Sequence, residues 1–392
     1  MNSRYCLLAS LTAFLFWVST SASVVAQDSK PADKSASSIQ YQKTVKSGIE
    51  FLLSKGQDRN DGSYSKQISP AITAMCTTSL MKCGVSAKHP QVQKSLTLLE
   101  SFVQKDGGVY APNSNLRNYE TSVAVMCFAE ANENGKYDKI IKDAIAFQKN
   151  IQWDDSEGHD RASTFYGGQG YGKHKRPDMS NTSFFMDALK AASEDKDSEA
   201  IQKALNFISR TQNLQSQHNM TEYASKVTAE DKGGFIYTPA GNGESKAGST
   251  PEGGLRSYAS MTYAGLKSFL YAGVSKDDIR VKAAMDWIAR HYDLKTNPGM
   301  GKQGLYYYYH VFAKALDAHG EDWITDKEGQ KHNWRDDLMK QLAKTQNSDG
   351  SWTNEADRWY EGDPNLVTSY SLLALSYCNP DSKDATGEAS RN

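Results

Sequence analysis

Five stretches of the chain repeat one spacing of apolar and polar positions. In each, an apolar residue is followed four residues later by a second apolar residue, and two residues after that by a bulky or aromatic one. The copies span residues 45–52, 92–99, 141–148, 201–208 and 281–288, with a weaker sixth copy at 334–340. This spacing is typical of an amphipathic helix. Repetition along the whole chain predicts a stacked or closed array of repeats.

A second, more apolar segment follows each copy. These segments are rich in Ala, Ser, Thr, Met and Tyr and poor in charge, which predicts helices buried on all sides. Thr73, Thr182, Thr262 and Thr368 occupy what look like equivalent positions in four of them. The predicted buried helices lie near residues 70–83, 120–133, 181–193, 257–272, 306–319 and 366–378.

Glycine-aromatic turns join the two kinds of helix, and a glutamine precedes most of them, with Tyr292 in its place before the most degenerate turn. Glycine accepts the positive φ that ends a helix, and the aromatic side chain can pack back over the turn. The glutamine amide is expected to bond to free backbone groups. The glutamines assigned to these turns are Gln57, Gln104, Gln148, Gln212 and Gln346.

Six outer amphipathic helices alternating with six buried inner ones predict an all-α fold, an (α/α)6 toroid. The turns, together with Gly253-Gly-Leu255 and Met261-Thr-Tyr-Ala-Gly-Leu266, resemble the repeats of the squalene/hopene cyclase and protein prenyltransferase β-subunit superfamily. The resemblance covers nearly all of residues 40–379. It implies a double ring of helices around an apolar central cavity.

The ends of the chain have a different composition. Arg4, an apolar run and the small residues before Gln27 predict a signal peptide over residues 1–26. We therefore expect export to the periplasm or the extracellular space. A disordered leader is predicted at 27–39, the toroid at 40–379 and a disordered tail at 380–392.

Charge and hydropathy narrow the possible partners. The formal net charge is −1, and removal of Arg4 with the signal peptide makes it −2. This balance gives no basic surface for nucleic acid. No second apolar run is long enough to predict a membrane-spanning segment in the mature chain.

The sequence lacks the catalytic motifs of the superfamily it resembles. It has neither the Asp-x-Asp-Asp of the cyclases nor the Asp-x-Cys of the zinc-dependent prenyltransferases. His310 loosely matches a Tyr-His element of the latter, but a zinc site needs at least three protein ligands. His310 is interpreted as a cavity-lining or packed side chain, or as a lone metal ligand. No cofactor or metal is expected, and enzymatic activity stays open.

Two long connections, 152–179 and 214–255, run from an outer helix to the next inner helix. In a toroid they lie at one end, where they predict a loop-rich rim. Their rings give that rim an aromatic character; they are Trp153, Phe165, Tyr166, Tyr171, Phe235 and Tyr237.

Charged residues inside the buried helices are the strongest candidates for chemistry. The repeat register places Asp187, Lys267 and Lys314 at one level on three inner helices. Such a group can bind a carboxylate or transfer a proton, or it can form an ion-pair network within the ring. Glu120 and Asp178 precede inner helices, so they are either helix caps or a carboxylate pair at the cavity mouth.

Tyrosines and cysteines supply the remaining candidates. Tyr258 and Tyr306 are predicted to line the cavity, and at least one of the four consecutive tyrosines from Tyr306 should reach it. The register sets Cys83 level with Cys378, which predicts either a disulfide that closes the ring or two buried thiols.

These observations favour an exported toroid that binds an apolar small molecule or a protein segment in or above its cavity. One alternative is an isoprenoid cyclase or transferase that uses a different acid, such as Asp187. Another is a carbohydrate-active enzyme that uses Glu120 and Asp178, which requires two carboxylates roughly 5–10 Å apart.

Overall fold

The computed structural model describes residues 31–172 and 175–380. The predicted signal peptide, residues 27–30 of the predicted leader and residues 381–392 of the predicted tail lie outside the described residues. The leader was predicted to extend to residue 39, but the first helix begins at Pro31.

The outer ring of the described chain consists of six amphipathic helices. These are α1 (Pro31–Phe51, continued by a π-helical turn at Leu52–Gly56), α3 (Pro90–Glu100), α5 (Asp138–Asn150), α7 (Glu199–Thr211), α10 (Ile279–Arg290) and α12 (Trp334–Thr345). Each contains one copy of the repeated spacing, because its apolar stripe must face the inner ring.

The inner ring of the described chain consists of six mostly buried helices, close to the predicted segments. These are α2 (Pro70–Lys82), α4 (Arg117–Glu130), α6 (Met179–Ala191), α9 (Ala259–Tyr271), α11 (Leu305–His319) and α13 (Pro364–Ser376). The connections contain a short helix, α8 (Glu222–Ser225), and an antiparallel hairpin of β1 (Trp323–Thr325) and β2 (Lys331–Asn333). Single 3-10 turns lie at Glu133–Gly135, Asp155–Glu157 and Arg358–Tyr360.

The inner helices form a closed ring. Consecutive inner helices pack against each other in chain order, and α13 returns to pack against α2. On the outside, α1 packs against both α12 and α13. The predicted (α/α)6 toroid is therefore confirmed.

Turn glutamines join a repeat to the outer helix that follows it, although Gln104 bonds only to Phe102 and Tyr110 around its own turn. The Nε2 atom of Gln212 donates to the carbonyl of Gly233 in its own turn, at 3.0 Å, and to that of Arg280 in the following outer helix, at 2.8 Å. Gln346 makes the same pair of bonds, to Gly350 at 2.9 Å and to Thr44 at 3.0 Å. Since Thr44 belongs to α1, this last glutamine joins the end of the ring to its beginning.

One glutamine assignment was wrong. Gln152, not Gln148, donates to the carbonyls of Gly167 and Ala200, at 2.9 and 3.0 Å. Gln148 instead donates to Asn118 Oδ1 at 3.0 Å and contacts inner helix α4. Because α5 ends at Asn150, Gln148 lies within the helix and Gln152 within the turn, a boundary that the repeated spacing alone did not locate.

Inner-helix threonines complete the turns. Each hydroxyl oxygen accepts a hydrogen bond from a backbone N–H of the adjoining turn. The donors are Tyr64 to Thr73, Gln169 to Thr182, Phe235 to Thr262 and Trp352 to Thr368, at 3.0–3.1 Å. The predicted equivalence of these threonines is therefore confirmed, and Thr121 accepts from Val109 in the same way.

The turn glycines pack directly on the backbone of the next outer helix. Gly350 has φ +91°, and a Cβ at this position would lie 2.3 Å from the carbonyl oxygen of Ser47. For Gly167, with φ +83°, the corresponding distance to Lys203 O is 1.8 Å. No other residue type can occupy these two positions without moving the neighbouring helix.

The cysteines are not bridged in this structure. Cys76, Cys83, Cys127 and Cys378, the cysteines of the described residues, are all free thiols. The Cys83 thiol donates to the carbonyl of Leu372 and the Cys378 thiol to that of Ala374, both at 3.5 Å. Of the two alternatives predicted for Cys83 and Cys378, a disulfide or two thiols, the structure has the thiols, each directed at a helix carbonyl.

We expect Gly350→Ala to destabilise the fold far more than Gly158→Ala. Gly158 has a similar φ of +80°, but no atom lies within 4 Å of a Cβ built there. Both variants incur about 1–2 kcal/mol of left-handed backbone strain, and only Gly350→Ala adds a collision with backbone. Urea unfolding measures the difference in free energy of unfolding. Equal losses in the two variants would contradict the proposed tight contact with α1.

Candidate functional site

Two cavities lie along the axis of the toroid, one at each end of the inner helices. The aromatic chamber is an open space of roughly 1100 Å³ at the helix N-termini. It is lined by Ile68, Ser69, Ile72, Leu116, Tyr119, Tyr171, Ser180, Asn181, Phe184, Tyr237, Tyr258, Ser260, Met261, Gly304, Tyr307, Trp359, Tyr360, Glu361, Leu366 and Tyr370.

The charged chamber is an open space of roughly 900 Å³ at the C-terminal ends of the same helices. It is lined by Met75, Thr78, Lys82, Met126, Ala129, Glu130, Asp187, Lys190, Ala191, Tyr271, His310, Lys314, Leu373 and Tyr377. All six inner helices contribute to it.

Packed rings form the wall of the aromatic chamber. Tyr119 meets Phe184 edge-on at 4.9 Å between ring centroids, and Phe184 stacks with Tyr307 at 6.0 Å. Tyr307 in turn packs on Tyr370 at 5.9 Å. The wall combines a large apolar area with the negative ring faces that attract positive charge.

The mouth of the aromatic chamber exposes two aromatic side chains in strained backbone. Trp359 and Tyr360 are 43% and 60% exposed, and both have φ of +63°. Left-handed backbone is costly for bulky residues and is concentrated at functional sites. Of the predicted rim rings, Tyr171 and Tyr237 also line this chamber, whereas Phe235 is fully buried in the core.

The tyrosine run places only one of its rings in the chamber. Tyr307 lines it, whereas the predicted Tyr306 is absent from the lining and packs edge-on against Tyr309. The hydroxyls of Tyr308 and Tyr309 donate to backbone carbonyls in the preceding loop. Tyr258 lines the chamber as expected.

Glu361 is a buried carboxyl in the chamber wall that the sequence analysis did not identify. Only 1% exposed, it accepts hydrogen bonds from the Tyr307 N–H at 2.8 Å and from Asn354 Nδ2 at 2.6 Å. Burial raises its pKa to about 7 despite these donors. It caps the first turn of α11. Its position just before α13 was the signal available in the sequence.

Glu120 and Asp178 are both buried and do not line the aromatic chamber. Glu120 lies in the first turn of α4 and does not cap it. Glu120 accepts from Ser69 Oγ at 2.8 Å and from the Ala111 N–H at 3.0 Å. Asp178 is the N-cap of α6 and accepts from both the backbone and the side-chain amide of Asn181. Burial raises the pKa of Asp178 to about 6.

The structure brings the three inner-ring charges together. Asp187 Oδ1 lies 2.7 Å from Lys267 Nζ and 3.1 Å from Lys314 Nζ. Burial opposes ionisation of Asp187, but the two ammonium groups outweigh it and hold its pKa below the usual value. Burial, reinforced by the Lys314 charge, lowers the pKa of Lys267 to about 8 although Asp187 opposes the shift.

His310 borders these charges on α11. It is 3% exposed and stacks on Tyr370 at 5.8 Å, and its Nδ1 has no hydrogen-bond partner among the described residues. Burial, together with the Lys314 charge, lowers its pKa to about 3, so the ring is neutral near pH 7. Within residues 31–172 and 175–380, no group of His, Cys, Asp or Glu is arranged to hold a metal ion.

Comparison with known proteins agrees with this architecture. Residues 66–229 match the family model of the squalene-hopene cyclase C-terminal domain. The toroid is squalene/hopene cyclase-like. None of the curated proteins compared with the chain matches it.

One of the solved structures similar to this chain supports the toroidal fold. A D-mannose isomerase aligns with a TM-score of 0.55 at 10% identity, covering 90% of this chain and 100% of that one. The type II terpene cyclase MstE from Scytonema aligns with a TM-score of 0.34 at 13% identity, covering 87% and 98%. No helix of the described cyclase-like toroid is both long and apolar enough to cross a membrane.

We expect Asp187→Asn to destabilise this toroid by about 3–5 kcal/mol, because it leaves two buried ammonium groups without a counterion. Asp277→Asn is the matched control, since Asp277 also pairs with a lysine but is 91% exposed. Chemical unfolding at pH 7 compares the two. A stable Asp187→Asn variant would show that the carboxylate is not needed for the fold. Asp187 would then be a candidate catalytic residue again.

The raised pKa of Glu361 predicts a pH dependence of stability. The folded value, about 7, exceeds the unfolded value near 4.3, so this group's stabilisation is complete below the unfolded pKa. It is lost as pH rises through 7. We expect Glu361→Gln to flatten the fall in unfolding free energy between pH 5 and 8. An unchanged slope would mean that the carboxyl titrates at its ordinary pKa.

Proposed function

We propose that the aromatic chamber binds an apolar, isoprenoid-like small molecule. The observation that carries the proposal is its lining, in which nine aromatic side chains surround a single acidic residue, Glu361. A pocket of this size and composition suits a small molecule better than a protein segment. Isoprenoid double bonds and methyl groups pack favourably on ring faces.

A polar end of the ligand has defined partners in the chamber. The Ser180 hydroxyl lies 3.4 Å from the Tyr307 hydroxyl, and both residues line the wall. Near neutral pH a fraction of the Glu361 carboxyl is protonated and can donate to a ligand oxygen. These groups support an alcohol or carbonyl end on an otherwise apolar molecule.

Binding is better supported than turnover. The acid considered for an isoprenoid cyclase, Asp187, lines the opposite chamber and is held between two lysines. The carboxylates considered for a carbohydrate-active enzyme, Glu120 and Asp178, are buried and already accept hydrogen bonds, Glu120 from Ser69 and Asp178 as the N-cap of α6. We also propose that the N-terminal segment directs export, so that the toroid binds its lipid outside the cytoplasm.

Farnesol provides a direct probe of this chamber. We expect the wild-type protein to bind it in isothermal titration calorimetry and Leu116→Trp, which fills the chamber, to bind at least ten-fold more weakly. The control is Leu98→Trp on outer helix α3, a half-buried leucine that does not line either chamber. Mass spectrometry of the recovered farnesol distinguishes binding from conversion.

Two outcomes would overturn the proposal. One is the absence of farnesol binding by the folded wild-type protein. The other is equal affinity in Leu116→Trp and Leu98→Trp, which would place the ligand elsewhere. Recovery of a chemically altered isoprenoid would replace the binding proposal with an enzymatic one.

A further inference from the structure

The charged chamber contains an excess of positive charge that the described residues do not neutralise. Asp187 is shared by Lys267 and Lys314, so these three buried groups carry a net charge of +1. Lys82 is already paired with Glu130 at 2.5 Å. Lys190 adds a further positive charge at the opening, with its ammonium 5.9 Å from the centre of the Tyr271 ring.

Lys314 is the ammonium that faces the open space. Its side chain is 12% exposed, whereas that of Lys267 is 1% exposed. Besides Asp187, its described contact is the sulfur of Met126 at 3.8 Å, which is a weak acceptor. An ammonium has three N–H donors, so one remains available for a ligand.

His310 supplies a second donor beside it. His310 and Lys314 are four residues apart on α11, so they lie on one face of the helix, and both line the chamber. The buried Nδ1 of His310 lacks a partner among the described residues. Leaving a buried polar atom unpaired is costly, and in the Nδ1–H tautomer this atom donates a hydrogen bond.

The remaining wall of the chamber is largely apolar. Met75, Met126 and Leu373 lie around it, together with the rings of Tyr271 and Tyr377. Methionine side chains adapt to ligands of varied shape. The space therefore combines a positive base with walls that suit hydrocarbon.

We propose that this chamber binds an organic anion with an apolar body, with the anionic head held between Lys314 Nζ and His310 Nδ1. The bound head completes the charge balance of the buried Asp187, Lys267 and Lys314. Charge-assisted hydrogen bonds of this kind are strong in a partly dehydrated site. The ligand lies at the opposite end of the toroid from the aromatic chamber, so this site does not depend on the function proposed there.

Decanoate, decanol and inorganic phosphate separate the contributions of charge and hydrocarbon. We expect calorimetry at pH 7 to show decanoate binding at least ten-fold more tightly than decanol or phosphate. Lys314→Met should weaken decanoate at least ten-fold, and Lys314→Arg should retain most of the affinity. The matched control is Lys282→Met, on an exposed lysine of outer helix α10, which should bind as the wild type does.

We expect the Lys314→Met variant to fold. Lys314→Met leaves Asp187 and Lys267 as a neutral buried pair, so we expect its thermal midpoint to equal or exceed that of the wild type. Leu116→Trp, which blocks the aromatic chamber, should leave decanoate affinity unchanged. This second comparison distinguishes a failure of this site from a failure of the site at the other end.

Several results would overturn the assignment. Equal affinities for decanoate and decanol would remove the role of the anion, and phosphate binding as tightly as decanoate would remove that of the apolar body. Unchanged decanoate affinity in Lys314→Met would exclude the assigned head position. Loss of decanoate binding in Leu116→Trp would assign the ligand to the aromatic chamber instead.

Discussion

Close contact between each turn glycine and the next outer helix is the constraint on which this toroid depends. At Gly167 and Gly350 the chain approaches a neighbouring backbone carbonyl so closely that no Cβ fits. The turn glutamine then bonds the glycine carbonyl and a carbonyl of that same neighbouring helix. Repeats are thereby joined through backbone contacts that do not depend on which apolar side chains fill the core.

The closed ring also determines where polar groups can lie. Inner helices are covered by neighbours on both sides and by an outer helix behind, so their polar side chains face the axis or need a buried partner. At the N-terminal end, Glu361 and Asp178 accept the free backbone donors of α11 and α6. At the C-terminal end, Asp187 is surrounded by lysines on α9 and α11. The two chambers therefore differ in their charged groups because one lies at the N-terminal ends of the inner helices and the other at their C-terminal ends.

Much of this architecture could be predicted from the sequence, because each repeat encodes its own helix pair and turn. The threonine positions fixed the register well enough to place Asp187 and Lys267 at one level, and the glycines that end the inner helices, Gly84, Gly273 and Gly320, placed Lys314 there as well. The sequence did not predict which individual side chains face the axis, because a shift of one residue along a helix changes the direction of a side chain. Tyr306 and Tyr307 point about 100° apart on a helix, so the tyrosine run alone did not show which ring reaches the axis. Register likewise set Cys83 level with Cys378 without fixing the direction of either thiol, on which a disulfide depends.

The contents of the chambers were harder to predict, because a lining depends on loops as well as helices. Trp359, Tyr360 and Glu361 follow the repeated turn in the connection from α12 to α13 and belong to no repeated pattern, yet they form the mouth and one wall of the aromatic chamber. The left-handed backbone of Trp359 and Tyr360 and the buried carboxyl of Glu361 each raise the free energy of the unliganded fold. The buried Asp187, Lys267 and Lys314, with their excess positive charge, do the same at the other end. Contacts in the turns hold the ring together, so the fold can tolerate these two unfavourable energies. Each of them lies in a chamber where a bound ligand would offset it.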